Sequence, residues 1–271
     1  MIEPQIEAEI LQRLRDAERE HDMRILYACE SGSRAWGFAS PDSDYDVRFI
    51  YVRPQDWYLS FDVEQRRDVI EYPIVDDIDC GGWDLRKALH LFARTNGALF
   101  EWLVSPIRYI ETGTFRRDLA QLAVKSGNQI SLCYHYSHMA RRNAREYLEK
   151  DRVRLKKYFY VLRPLLAIRY IERYRKPPPI EFESLVKTVA PSPLVDKIEA
   201  LLAIKRAALE SGVGAPVPEL NDFIEEELER HGHAFKGQGR PQLSEGDPAR
   251  DELNRIFRRA VSAVGDDARP A

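Results

Sequence analysis

The stretch from Arg24 to Tyr51 constrains this chain more than any other. An apolar, strand-like run, Arg24-Ile-Leu-Tyr-Ala-Cys29, gives way to the small-residue pair Gly32-Ser33. A second glycine, Gly37, follows, and Ser43-Asp44-Tyr45-Asp46 opens another strand-like run. Side chains alternate along a strand, so Asp44, Asp46 and Arg48 share one face while Tyr45, Val47 and Phe49 share the other. Two carboxylates at alternate positions beside a small-residue turn suit oxygen ligation of Mg²⁺ against a triphosphate.

In that chemistry Gly32 lets the backbone approach a phosphate with no Cβ in the way. Ser33 offers an N–H and a hydroxyl, and a short helix through Arg34 to Phe38 would add its positive end. Taken singly, a Gly-Ser pair is a plain turn and an Asp-x-Asp pair the exposed face of an edge strand. The functional reading rests on their combination within about twenty residues, and it makes a structural demand that can be checked. Other readings of the same serines fail. There is no Gly-x-Ser-x-Gly elbow of a serine hydrolase and no Gly-x-x-x-x-Gly-Lys-Ser/Thr loop of a P-loop ATPase.

These residues resemble the signature of the DNA polymerase β-like nucleotidyltransferase superfamily. The longer string from Glu30 to Gly37, with Ser43 to Tyr51, is most similar to the branch of bacterial and phage nucleotidyltransferases typified by RlaP, the RNA-ligase-associated protein. Trp83-Asp84-Leu85-Arg86-Lys87-Ala88-Leu89, Lys156 to Leu166 and Lys176-Pro-Pro-Pro-Ile180 resemble the same branch, so the likeness spans roughly residues 5 to 190. The resemblance implies an α+β fold: a polymerase β-like core of mixed sheet and flanking helices, followed by an all-helical C-terminal domain. It implies transfer of a nucleoside monophosphate from an NTP to a hydroxyl acceptor, with an RNA end or RNA repair as the setting. It implies Mg²⁺, with Mn²⁺ as a substitute, bound by Asp44 and Asp46. Gly32, Ser33, Arg34 and Ser43 become the nucleotide-binding candidates. A third carboxylate on a neighbouring strand is implied as general base and further metal ligand; Glu71, Asp76, Asp77 and Asp79 are available. Asp79 is expected, because it precedes Gly81-Gly82, read as a turn, and the helix capped by Asp84; Asp77 is the fallback at period two. Arg48 lies on the carboxylate face, where it pairs with Asp46 or contacts a phosphate, and Glu30 either orients the turn or simply ends its strand.

The remaining chain divides by texture. Ile6, Ile10, Leu11 and Leu14 predict an amphipathic helix over 4–20. Strands are expected at 24–29, 44–51, 67–73, 73–79 and 107–110, and helices from Asp84 and after Asn96. From about Thr114 the pattern is helical, over 114–125, 128–149, 152–174, 181–188, 193–211, 217–231 and 248–263, with 234–247 a loop. The expected organisation is a catalytic domain over 1–112, a helical domain over 113–264 and a disordered tail over 265–271.

Residues 141–176 hold thirteen Arg or Lys against four Asp or Glu, although the whole chain of 271 residues carries a formal charge of −3. Any nucleic-acid surface must therefore be local. Tyrosines interleave with these cations, a pattern that serves either a nucleotide groove or a core with a solvated face. Lys157 and Arg163, inside the family-like string, are the expected phosphate contacts. His135 and His138 sit one helical turn apart with no Cys or carboxylate at zinc-ligand spacing, so core or capping roles are expected, and His231 and His233 flank Gly232 at a helix end, where C-terminal capping is expected. Cys29, Cys80 and Cys133 form neither a zinc pattern nor a disulfide framework, and no apolar run approaches a membrane span or an export signal. A reducing, cytoplasmic compartment is expected. The rival readings are a catalytically silent nucleotide- or RNA-binding module of the same fold and an enzyme that modifies a protein side chain.

Overall fold

The structure is a computed structural model that describes residues 2–148, 152–190, 192–207, 213–234, 243 and 246–267. It is α+β. Helix α1 (Pro4–His21) leads into β1 (Arg24–Glu30), the one-turn α2 (Gly32–Ala35), β2 (Tyr45–Val52) and α3 (Gln55–Tyr58). A 3₁₀ turn precedes β3 (Val69–Glu71), then come β4 (Ile78–Asp84), α4 (Leu85–Ala93), α5 (Gly97–Leu103) and β5 (Arg108–Glu111). The C-terminal part contains α6 (Phe115–Ser126), α7 (Gln129–Tyr147), β6 (Val153–Arg154), α8 (Lys157–Tyr174), α9 (Phe182–Val186), α10 (Pro193–Ala207), β7 (Val213–Gly214), α11 (Pro218–Ala234) and α12 (Pro248–Asp267).

The main sheet has the order β3-β4-β2-β1-β5. All its pairings are antiparallel except β2 with β4, which run parallel. Alternation along β2 sends Val47, Phe49 and Tyr51 to one face, where Ile10, Leu14 and Ala17 of α1 cover them. Ile50 and Val52 go to the other face and join a continuous core that extends through α4, α5 and the C-terminal helices to Val261. Burying a large aliphatic side chain stabilises by about 1.5–3 kcal/mol, so the two faces together fix which way every β2 side chain points.

The pair Gly81-Gly82 is not the expected turn. Both residues lie inside β4. A Cβ at Gly82 would fall 2.2 Å from the Phe49 ring of the neighbouring strand, so glycine here admits an aromatic ring against the backbone. The turn comes earlier, at Asp76 and Asp77, both left-handed with φ of 53° and 59°. The helix expected from residue 152 also starts later. Val153 and Arg154 form a two-residue ribbon with Val213 and Gly214, and the helix begins at Lys157. Pro164 lies within α8 and cannot donate to the Tyr160 carbonyl; the Asn143 side chain of α7 donates to that oxygen instead at 2.9 Å. Helix α12 reaches Asp267, so 265–267 of the expected tail are helical, and 268–271 lie outside the described residues. The expected end of α10 at 208–211 and most of the loop expected over 234–247 lie outside them too.

Asp84 ends β4 and caps α4. It is fully buried, accepts from the Arg86 N–H at 2.8 Å and from the Tyr58 hydroxyl at 2.8 Å, and burial pushes its carboxyl up to about 6. The folded protein therefore binds a proton here more tightly than the unfolded chain, whose value is near 3.8. The contribution of Asp84 is most favourable below pH 4 and is lost as pH rises to 6, by about 3 kcal/mol at most. Asp84→Asn keeps the cap and removes the titration. In denaturant unfolding at pH 4 and pH 7, the stability of the variant relative to wild type is expected to rise with pH; a constant difference would remove the assignment.

Candidate active site

The parallel pairing of β2 with β4 sets Asp46 directly opposite Asp79. Asp79 is the second residue of β4, so it stands at the end of the sheet where β2 also begins. Asp44 precedes β2 by one residue and is exposed. The other three candidates lie outside the pairing with Asp46. Asp76 and Asp77 form the left-handed turn before β4, and Asp76 pairs with Arg13 at 3.0 Å. Glu71 pairs with Arg67 at 2.9 Å on the edge strand β3.

Gly32 closes the site from the side of β1. Its φ is +57°, and a Cβ there would lie 1.9 Å from Oδ2 of Asp46. The carboxylate thus rests on the bare Cα of the turn, while the Ser31 N–H donates to the Asp46 carbonyl at 2.8 Å. The short helix expected from Arg34 begins instead at Gly32, so it is the backbone of Gly32, Ser33 and Arg34 that turns beside Asp46. The Ser33 residue is buried. Ser43 is buried as well, and its hydroxyl accepts from the Ser40 N–H at 3.0 Å, which holds the loop before β2. Arg34 is half-exposed: it donates to the carbonyls of Ser43 (2.6 Å) and Asp44 (3.2 Å), and its guanidinium lies 3.8 Å from the centre of the Tyr45 ring.

Arg48 sits between the two facing carboxylates. Its Nη2 donates to Oδ2 of Asp79 at 2.6 Å and reaches Oδ1 of Asp46 at 3.4 Å, while Nη1 donates to the Asp79 carbonyl at 2.8 Å. Burial works against its charge, but its bond to Asp79 and the charges of Asp79 and Asp46 outweigh burial and raise its pKa. Asp46 is pushed upward, first by burial and then by the negative charges of Asp79 and Asp44, with Arg48 opposing. Asp44 and Asp79 are therefore both close enough to repel Asp46, and the guanidiniums of Arg48 and Arg34 oppose that repulsion.

Among the described residues no group of three His, Cys, Asp or Glu side chains is placed so that it could hold a metal ion as the side chains stand. The donor chemistry nevertheless fits a hard divalent ion. The site offers all-oxygen ligands, mutual repulsion that a cation relieves, a guanidinium standing where positive charge is needed, and a Gly32 without the Cβ that would fill the space beside Asp46.

Glu30 is a fourth carboxylate whose importance the sequence barely signals. It is fully buried, accepts from the Asp46 N–H at 2.9 Å and from the Tyr109 hydroxyl at 2.5 Å, and burial pushes it up to about 7. It clamps the backbone that carries Asp46. In the sequence it shows only as the charged end of its strand and the first residue of the family-like string, where orienting the turn is one of two readings; Tyr109, some eighty residues on, leaves no trace.

The helical half meets this turn through Trp36. The Trp36 ring stands edge-on to Tyr160 with centroids 5.7 Å apart, and Tyr160 to Tyr147 at 6.5 Å. The Lys157 ammonium lies 4.2 Å and 4.7 Å from the Tyr147 and Tyr160 ring centres. All four side chains are half-buried. Arg163 does not join them at a surface. It is 1% exposed, pairs with Glu101 at 2.8 Å, donates to the Ile180 carbonyl and lies 4.5 Å from the centre of the Trp36 ring. Glu101 also accepts from Trp36 Nε1 and Tyr136. The histidines stand apart from the carboxylates: His138 stacks on Tyr134, His135 packs against Gly97, and His231 lies 3.5 Å from Glu227. The His233 side chain lies outside the described residues. The three cysteines are buried and free, and no described helix is long and apolar enough to cross a membrane.

The family described as the RNA repair pathway DNA polymerase beta family, RlaP, has a model that matches residues 6–259. The chain is 44% identical over 259 residues to a protein of Bacillus subtilis (strain 168) described as uncharacterized protein YcgL, covering 95% of this chain and 97% of that one. Among solved structures it is similar to a nucleotidyltransferase-like protein from Exiguobacterium sibiricum 255-15, with 12% identity and a TM-score of 0.30 over 95% of this chain and 91% of the other.

Proposed function

Because the chain belongs to the RNA repair pathway DNA polymerase β family, we propose that it is a divalent-metal-dependent nucleotidyltransferase that moves a nucleoside monophosphate from an NTP to a hydroxyl of an RNA acceptor. The observation that carries this reading is the register of β2 and β4, which sets Asp46 opposite Asp79 at the sheet end closed by Gly32. Asp44, Asp46 and Asp79 would hold Mg²⁺ or Mn²⁺, which when bound supplies Lewis-acid stabilisation of the phosphoryl oxygens and a more acidic acceptor hydroxyl.

The residues then divide the work. The backbone of Gly32, Ser33 and Arg34 binds the triphosphate tail, with the Ser43 hydroxyl fixing the loop that faces it. The acceptor oxygen attacks the α-phosphorus, the new P–O bond replaces the bond to the bridging oxygen, and pyrophosphate leaves. Asp79 takes the proton of the acceptor hydroxyl. Arg48 balances the carboxylates when they lack a cation; with a cation bound, its guanidinium would be released to a phosphate oxygen. Trp36, Tyr160 and Tyr147, with Lys157 beside them, offer rings for a base and a charge for a phosphate. Arg163 acts from beneath, by holding Trp36. The reaction belongs in a reducing cytoplasm, consistent with three free thiols.

The test is label transfer. The protein is incubated with each NTP labelled at the α-phosphate, Mg²⁺ or Mn²⁺, and tRNA or short RNA. Label is expected on RNA, reduced by roughly 10³-fold in Asp44→Ala, Asp46→Ala and Asp79→Ala, a loss of several kcal/mol of transition-state stabilisation. NTP binding without transfer to any RNA, unchanged by these substitutions, leaves a silent binding module. Label on a protein instead redirects the acceptor, and full activity in Asp79→Ala removes Asp79 as base.

A further inference from the structure

A cavity of about 340 Å³ opens between α4 and α12, and none of its lining residues belongs to the carboxylate site. Arg86 and His90 line it from α4 and Arg94 from the residue that caps the end of α4; Arg250, Asn254 and Phe257 line it from α12, and Leu243 adds a wall from outside both helices. No Asp or Glu lines it among the described residues. Arg86 has one carboxylate partner, Glu64 at 3.2 Å, whereas the guanidiniums of Arg94 and Arg250 form no ion pair among the described residues. Burial, and then the charges of Arg86 and Arg94, hold His90 below its ordinary value, with Asp68 opposing. Phe257 is half-buried and is fixed edge-on against Tyr58 at 5.1 Å, so the cavity pairs cationic arms with a rigid ring.

Guanidiniums on two facing helices converge on a planar or tetrahedral anion, since each presents a fork of donors to oxygen. An aromatic wall beside them suits a flat ring attached to that anion. The volume lies within the range of small-molecule sites, roughly 300–1,000 Å³. We infer that the cavity between α4 and α12 is a second, non-catalytic binding site for a nucleotide phosphate, carried either by a free nucleoside monophosphate or by the 5′ end of an RNA strand.

The test is calorimetric titration of the full chain in EDTA, so that the carboxylate site holds no metal. The probes are the four nucleoside monophosphates, a short 5′-phosphorylated RNA and the same RNA with a 5′-hydroxyl. Arg94 and Arg250 are both exposed, so Arg94→Glu/Arg250→Glu is expected to unfold at the same denaturant concentration as wild type. Saturable binding by a monophosphate assigns the site to free nucleotides; binding confined to the 5′-phosphorylated RNA assigns it to a strand end. In either case the double variant should bind about 100-fold more weakly, two charge-assisted contacts being lost. Asp46→Asn should bind as wild type does. The inference is overturned if no phosphorylated probe binds, if the 5′-hydroxyl RNA binds equally well, if the double variant binds like wild type, or if Asp46→Asn abolishes binding.

Discussion

Arg163→Met is expected to lower the unfolding free energy by about 3–5 kcal/mol, because it leaves the buried Glu101 carboxylate without its counter-charge. The guanidinium is 1% exposed and Glu101 is buried, so neither group can turn to water when the other is removed. Glu101 would still accept from Trp36 at 3.1 Å and from Tyr136 at 2.9 Å, but two neutral donors do not replace a cation. Glu101→Gln should likewise destabilise, by stranding Arg163. The double variant Arg163→Met/Glu101→Gln should be more stable than the sum of the single losses predicts, since it strands no charge. Denaturant midpoints of the four proteins close this cycle. If Arg163 contacted a nucleotide instead, Arg163→Met would raise KM for the NTP and leave the midpoint in place, and that result would rule out a structural role for this ion pair.

The same residue marks how far the sequence can be read. Arg163 stands in a basic, tyrosine-rich stretch, and charge there suggests phosphate. What the stretch does not reveal is that a glutamate in α5, 62 positions earlier, points at it through the core. Pairing over such distances leaves no local pattern. Lys157, six residues earlier on the same helix, is half-buried beside two tyrosine rings, so one helix carries both a core cation and a partly exposed one. Helical spacing alone does not say which side is covered.

The carboxylate site is more legible, for physical reasons. Alternation along β2 is a local property, and it places Asp44, Asp46 and Arg48 on one face. Asp79 is signalled by a partly misleading pattern. Gly81-Gly82 looks like a turn, because glycine most often serves positive φ, yet Gly82 makes room for Phe49 within the sheet. The real turn sits at two aspartates that adopt positive φ themselves. Only the parallel register between β2 and β4, a long-range property, brings Asp79 opposite Asp46. Glu30 and Tyr109 show the same limit: each is an ordinary residue in sequence, and together they clamp the Asp46 backbone.

Gly32→Ala and Gly37→Ala separate backbone strain from the architecture of the site. Both glycines have positive φ, +57° and +84°, where an L side chain costs about 1–2 kcal/mol. Both variants are therefore expected to lose similar stability from strain. Their surroundings differ. A Cβ at Gly37 meets nothing within 4 Å, whereas one at Gly32 falls 1.9 Å from Oδ2 and 2.7 Å from Cγ of Asp46. Asp46 cannot yield without cost, because its side chain faces Arg48 and its N–H is held by Glu30. A displacement of about 1 Å at a reacting group lowers rate by roughly 10²-fold. Gly32→Ala should therefore lose about that factor in label transfer and should bind Mn²⁺ more weakly, while Gly37→Ala keeps both. The Mn²⁺ titration reads the carboxylate geometry even if the acceptor RNA is not the right one. Equal Mn²⁺ affinity in the two variants would mean that Gly32 serves the turn alone and that the Asp46 carboxylate has room to move.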